Sequence, residues 1–277
     1  MILDKIVKST EERIEDKKNN LSLEDLKNKI NNIKINNNNI NKVTIKEDSN
    51  YTSFEKALKT RDMSFICEVK RASPSKGMIC QDFDPVKIAS EYELGGASAI
   101  SVLTEPHFFK GSDNYLKNVV ANVNIPVLRK DFIIDEYMIY ETKLLGAHAV
   151  LLIVSILDTD ELKEFIKLSH NLGISPLVET HTSNELEIAI GAGAKIIGVN
   201  NRNLKDFTVD INNSISLEKS IPEDIRKDIV FISESGIKTP EDVRLLNDNN
   251  IDAVLIGESL MRLDNKKLAI NHLKSLI

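Results

Sequence analysis

The sequence predicts an α/β fold, and three observations carry that prediction. Past residue 60, short runs rich in Ile, Val and Leu alternate with amphipathic segments to make eight strand–helix units. The helix ends share a phrase. ELGGASAI (93–100), KLLGAHAV (143–150) and AIGAGAKII (189–197) each give a helix end, a glycine, then alanine and a strand. Gly96, Gly146 and Gly193 fall 50 and 47 residues apart, about two units each, as expected of left-handed glycines closing helices in a repeated unit. No strong break marks a second domain within these units. Together these features predict a single closed (β/α)8 barrel, the TIM barrel, with an N-terminal helical extension. An open doubly wound sheet is the alternative. It should carry a glycine-rich phosphate loop after its first strand, and the stretch there is KRASPSKG, with no GxGxxG.

The elements follow in order. Ile2, Leu3, Ile6, Val7 and Ile14 among charges predict a helix over 2–18. Ser22 with Glu24 and Asp25 starts a second near 22–30. NNIKINNNNINK (31–42) is low-complexity and polar, with no face to bury, and is expected to be a weakly ordered connector. TSFEKALKT (52–60) is a third helix, packed by Phe54 and Leu58. The first 60 residues are thus expected to be helical decoration, too sparse in apolar side chains for a core of their own. The division is 1–60, the extension with its Asn-rich connector, and 61–277, the barrel catalytic domain. Strands are expected at 65–70, 99–104, 126–130, 148–154, 175–180, 195–200, 228–234 and 252–257. Helices are expected near 85–94, 113–121, 134–145, 159–171, 183–191, 214–220, 240–247 and 265–275.

Composition excludes several classes of function. With 36 Lys plus Arg against 42 Asp plus Glu, the 277-residue chain has a formal charge of −6, which does not suit a nucleic-acid binder. The apolar run AVLLIV (149–154) is far too short to cross a bilayer, and the first residues lack a secretory pattern. Cys67 and Cys80 fit a buried strand and a polar loop, so both are expected to be thiols in a reducing cytoplasm. No histidine shows metal-ligand spacing and no nucleotide fingerprint occurs, so neither metal nor organic cofactor is expected.

A parallel strand buried on both faces should be almost wholly apolar, so its polar residues are informative. Glu68 and Lys70, two apart, point to the same side of the first strand. The third ends with Arg129 and Lys130, and the fifth with Glu179. The sixth ends with Asn200, followed by Asn201 and Arg202. The seventh ends with Ser233, Glu234, Ser235 and Gly236, and the eighth with Gly257 and Glu258. In such barrels the C-terminal rim carries the chemistry. Glu68, Lys70, Lys130, Glu179 and Asn200 are therefore the candidate catalytic cluster. ISESGI and LIGESL place backbone N–H groups where a phosphate would bind without a basic side chain, which favours a sugar phosphate. The 70–84 loop is either a solvated loop or a mobile lid. His107, beside two phenylalanines, could touch a substrate. His148 and His170 are read as structural and surface residues, and His181, two past Glu179, is a minor catalytic candidate outside the main cluster.

These residues resemble the indole-3-glycerol phosphate synthase family. The most specific phrase is EVKRASPSKG (68–77), joined in order by SVLTEPHFFKGS (101–112), VLRKDFI (127–133), LLIV (151–154), LVET (177–180), IGVNNRNL (197–204), SESGI (233–237) and LIGESLM (255–261). The resemblance implies a stand-alone carboxy-lyase of tryptophan biosynthesis. It would convert 1-(2-carboxyphenylamino)-1-deoxy-D-ribulose 5-phosphate to indole-3-glycerol phosphate, carbon dioxide and water. No cofactor, metal or obligatory protein partner is implied. It makes Lys130 the general acid, Glu179 the base of the dehydration, Lys70 a second proton donor and Glu68 the group that orients and tunes the lysines. Asn200 belongs to the same set. Ser73 falls near the anthranilate end, Arg202 at the substrate carboxylate, and Ser235, Gly236, Gly257 and Glu258 at the phosphate. Glu258 stands where some members have Ser, which leaves a backbone N–H role intact. The alternatives are an isomerase acting on the neighbouring anthranilate intermediate, a Schiff-base aldolase using Lys130 or Lys70, and an inert barrel serving as a scaffold.

Overall fold

The computed structural model describes residues 2–40, 52–60, 62–203 and 207–277, and of 33–40 the backbone only. Eight strands are each long enough to span a barrel wall and apolar enough to be buried on both faces. They are β1 (Ser64–Val69), β2 (Ala99–Leu103), β3 (Val127–Lys130), β4 (Ala149–Ile153), β5 (Ser175–Thr180), β6 (Ile196–Asn200), β7 (Val230–Glu234) and β8 (Ala253–Ile256). Every neighbouring pair is parallel, and β1 closes the ring by pairing with both β8 and β2. Each expected strand is present within two residues of its expected ends.

The barrel helices start and stop where their side chains require. Asp84 accepts from the backbone of Val86 and Lys87 to open α4 (Pro85–Leu94), with Pro85 at its first position. Ser112 opens α5 (Asp113–Val120), and Asp135 opens α6 (Glu136–Leu144). Asp158 and Glu161 form a reciprocal cap on α7 (Thr159–Asn171), and Thr182 caps α8 (Ser183–Gly191). Two short helices, α9 (Asn212–Glu218) and α10 (Glu223–Arg226), cross from β6 to β7. Thr239 and Asp242 cap α11 (Pro240–Asn247), and α12 (Glu258–Met261) and α13 (Lys266–Leu273) complete the ring. Gly96, Gly146 and Gly193 have φ of 81°, 83° and 86°, as the shared phrase predicts.

Parity along each strand sorts the side chains. Phe65, Cys67 and Val69 of β1 join the outer core against the helices, and Ile66 joins the inner core. Leu128, Leu151, Leu177, Ile196, Val230, Ile232 and Leu255 fill the inner core from the other strands. Helix α3 (Ser53–Leu58) seals this interior with Phe54 and Leu58. Both are almost fully buried, and Thr52, which caps the helix, also contacts the Ser175 hydroxyl at the start of β5.

The N-terminal segment departs from expectation in two ways. First, α2 runs Leu23–Ile40, so most of the Asn-rich stretch continues a helix instead of forming a connector; residues 41 and 42 lie outside the described residues. Once Ser22 and Asp25 have capped the start, each further residue adds a helical hydrogen bond, so even asparagine can propagate the helix. Second, α1 (Ile2–Asn20) is more than decoration. Arg13 grips the Asp131 carboxylate at 2.7 and 3.1 Å, Lys17 pairs with Asp113 and Glu141 at 2.6 Å, and Lys18 pairs with Asp135 at 2.6 Å. Ile14, Leu26 and Ile30 pack into the outer core beneath.

Phe54→Ala opens a cavity where the interior is sealed and is expected to cost roughly 3–5 kcal/mol. The midpoint of urea unfolding reads this loss. A change below 1 kcal/mol, about the cost of a surface substitution, would show that the plug bears little weight.

Candidate active site

The inward parity that fills the barrel interior continues to the C-terminal rim. Below the rim the inward residues of β3 and β5 are Leu128 and Leu177; the next inward positions are Lys130 and Glu179. On β6, Gly198 leads to Asn200, and on β7, Val230 and Ile232 lead to Glu234. A cavity of about 660 Å³ opens here. Glu68, Lys70, Ser73, Lys130, Glu179, Asn200, Arg202, Ser235, Gly236, Gly257 and Glu258 all line it. The structure thus brings every sequence-predicted site residue into one pocket.

Its floor is a network of charges. The Lys130 ammonium contacts Glu234 Oε2 closely and lies 3.4 Å from Glu179 Oε2. Asn200 Nδ2 donates to Glu179 Oε1 at 3.2 Å, fixing the other carboxylate oxygen. Lys70 Nζ donates to Glu68 Oε1 at 2.5 Å. Burial works against the charge on Lys130, but Glu234, Glu179 and Glu68 outweigh it and raise its pKa. Burial pushes Glu179 up, yet Lys130, His181 and the Asn200 hydrogen bond bring it below the usual carboxylate range. Glu234 goes the other way. Burial, helped by Glu179 and Glu68 and opposed by Lys130, pushes it up to about 7.

Glu234 is the functional candidate passed over in the sequence. It sat inside SESG, which reads as a phosphate turn. Strand parity was the available signal, because a residue two past Ile232 must face the pocket. A Cβ added at Gly198 would collide with Glu234 Oε1, so glycine on β6 makes the room this carboxylate occupies. A Cβ at Gly257 would fall 2.5 Å from Glu68 Oε1 and 3.1 Å from Lys70 Nζ, so Gly257 does the same for that pair.

The remaining wall separates into two ends. At one, Ile2, Leu3 and Ile6 of α1 face the cavity with Phe109 and Phe132, whose ring centroids lie 5.9 Å apart at a 37° tilt. Ser73, near Pro74 and Ser75, has a buried hydroxyl with no partner among the described residues. The 70–84 segment is partly ordered by pairing of Ala72–Ser73 with Gly77–Met78. At the other end, Ser235 and Gly236 have successive φ of 68° and 93°, a left-handed turn of the backbone on the cavity wall. Gly257 caps α12 there, and Glu258 turns its carboxylate to Arg262 at 3.2 Å. Arg202 holds its backbone N–H on Asn200 Oδ1 at 3.1 Å, while its guanidinium is 3.5 Å from the Phe207 carbonyl. His107 uses its backbone N–H to cap the Glu105 carboxylate. His148 accepts the Val127 N–H, which fits its structural reading. Among the described residues, no cluster of side chains could hold a metal ion and no helix is long and apolar enough to cross a membrane.

Residues 3–273 match the family model for indole-3-glycerol phosphate synthase. The chain belongs to the indole-3-glycerol phosphate synthase family. It is 52% identical over 277 residues to an indole-3-glycerol phosphate synthase of Lachnoclostridium phytofermentans, covering 100% of both chains. It is 53% identical over 262 residues to that of Ruminiclostridium cellulolyticum, covering 95% of this chain and 94% of the other. Among solved structures, 3-hexulose-6-phosphate synthase from Salmonella typhimurium aligns with a TM-score of 0.61 at 15% identity, over 77% of this chain and 98% of that one, which shows the shared barrel alone. The protein is a lyase of tryptophan biosynthesis whose family carries out a decarboxylating cyclisation.

Gly198→Ala is expected to push Glu234 off Lys130 and lower kcat by roughly ten- to a hundredfold. Steady-state kinetics beside circular dichroism reads this, and unchanged kcat in a folded variant would free Glu234 from any part in turnover.

Proposed function

We propose that this pocket closes the indole ring of 1-(2-carboxyphenylamino)-1-deoxy-D-ribulose 5-phosphate, with Lys130 as acid and Glu179 as base. The observation that supports it best is the Lys130 ammonium, buried between Glu234 and Glu179 in a cavity with an apolar end and an end lined by backbone turns. The aromatic ring fits between Phe109, Phe132 and α1. The phosphate fits the turns at Ser235–Gly236 and Gly257–Glu258. Ser73 stands at the aromatic end, and Arg202 is the side chain assigned to the substrate carboxylate.

Chemistry then follows from position. The ring carbon that bears the carboxylate attacks the ketone, and a proton from Lys130 neutralises the oxygen as the carbon–carbon bond forms. Aromaticity is lost at this step. Breakage of the bond to the carboxylate releases carbon dioxide and restores it. The hydroxyl leaves as water with a proton from Lys70 while Glu179 takes the proton from the ring nitrogen; the adjacent CH2 then loses one proton and the nitrogen regains one, which leaves the indole. Glu68 holds Lys70 charged and in place, and Asn200 holds Glu179. Fixing both ends of a flexible chain near these groups removes much of the entropic barrier to closure. No step calls on a metal, an organic cofactor or a second protein. The thiols of Cys67 and Cys80 are free, which supports a reducing cytoplasmic setting, and the acidic balance speaks against nucleic acid.

Lys130→Met is expected to cut kcat by roughly a hundred- to ten-thousandfold with KM changed far less. Indole absorbance measured with and without EDTA checks both this and metal independence. Near-normal turnover in the variant, or a loss of wild-type rate in the chelator, would each remove part of the scheme.

A further inference from the structure

His181 stands two residues past Glu179, and no step above uses it. Its ring lies between two carboxylates. Nδ1 is 3.1 Å from Glu185 Oε2, and the same oxygen accepts the His181 backbone N–H at 2.7 Å. Nε2 lies 3.5 Å from Glu179 Oε1, is buried, and has no hydrogen-bond partner among the described residues. Glu185 is itself fixed, in the first turn of α8 where its backbone N–H meets the Thr182 hydroxyl. Asn213 Nδ2 holds the His181 carbonyl at 3.2 Å. The ring is therefore steered by three elements and aimed at the base.

The chemistry of the two nitrogens differs. Ionised Glu185 can only accept a hydrogen bond, so Nδ1 carries a proton. Nε2 is then the nitrogen whose protonation varies, and when protonated it faces Glu179 with a positive charge. We propose that His181 is a positioning residue for Glu179, a cation steered by Glu185 that keeps the base ionised and directed into the pocket. The proposal rests on Glu179 being the base.

The surrounding charges agree. Glu179 on β5, Glu185 on α8 and Glu234 on β7 all favour the charged ring, and Lys130 on β3 supplies the other cation acting on Glu179. Burial disfavours the imidazolium, but the Glu185 hydrogen bond and these carboxylates outweigh it and raise the His181 pKa. The sign of the expected effect follows. Removing a cation beside Glu179 raises the pKa of its carboxyl, so activity is lost at higher pH as the medium is acidified.

The test is kcat and KM from about pH 3.5 to 8, with melting temperatures, for His181→Gln, Glu185→Gln, the double variant and Glu179→Gln. We expect His181→Gln to move the acidic limb of kcat upward by about half to one pH unit, which lowers kcat on the limb itself, below its midpoint, by roughly three- to tenfold, with KM within about twofold. Glu185→Gln should shift the limb the same way by less, and the double variant should shift it no further than His181→Gln. An acidic limb that stays in place in both single variants, whatever happens to the melting temperature, overturns the proposal. Glu179→Gln separates the two levels. If it retains turnover, the base assignment itself fails; if it loses turnover while His181→Gln leaves the limb in place, only the role of His181 fails.

Discussion

A buried ammonium ringed by carboxylates sets the terms for this molecule. Lys130 keeps only 13% of its side chain exposed, and Glu234 and Glu179 touching it, with Glu68 near, outweigh that burial and hold its charge. These four side chains come from β1, β3, β5 and β7. In a barrel of this kind the inward residues of alternate strands form one layer, so the cluster is the uppermost layer of the interior with charges in place of Val, Ile and Leu. Three carboxylates then share the space with Lys130 and Lys70. The proton that relieves the excess negative charge goes to the carboxylate whose burial is least offset. Glu179 has donors in Asn200 and Lys130 with the His181 ring nearby, and Glu68 has Lys70. Glu234 has Lys130 and one orphaned oxygen, and its pKa is the one pushed up to about 7. A proton shared within this layer keeps it near neutrality before an anionic substrate arrives.

Much of this was legible in the chain, for identifiable reasons. Strands buried on both faces leave unbroken apolar runs, and the glycine after each of three helices marked a repeated unit, so the barrel could be read element by element. Glu68, Lys70, Lys130 and Glu179 stood out because a charge in such a run has no apolar explanation. Glu234 was equally charged and equally buried, but its neighbours Ser235 and Gly236 supplied a competing explanation, and only the count from Ile232 distinguishes the two. His181 was hidden differently. Its importance lies in Glu185, four residues on and across a helix cap, and a contact of that kind is not visible as a motif. The apolar wall from α1 was also illegible. Ile2, Leu3 and Ile6 read as any amphipathic helix does, and what they cover depends on where the helix is tied.

That tie begins at the residue after Lys130. Arg129 on β3 and Asp131 just past its end flank Lys130 and face the opposite way. Asp131 receives Arg13 from α1, Thr104 from the end of β2 and Arg129 beside it, and Arg129 in turn reaches Asp113 and Glu141, the two carboxylates that hold Lys17. One strand end thus holds Lys130 on its inner side and anchors the pocket wall on its outer side. The two sides titrate apart. Burial raises Asp131, but Arg13, Arg129 and Thr104 outweigh it and bring its pKa down to about 2. Its contribution to stability is therefore complete above the ordinary aspartate range and fades only as pH falls through about 2. Glu234, by contrast, is poised near 7. Across the range in which Glu234 changes state, the clamp on α1 keeps its charge, so the pocket wall formed by Ile2, Leu3 and Ile6 stays tied.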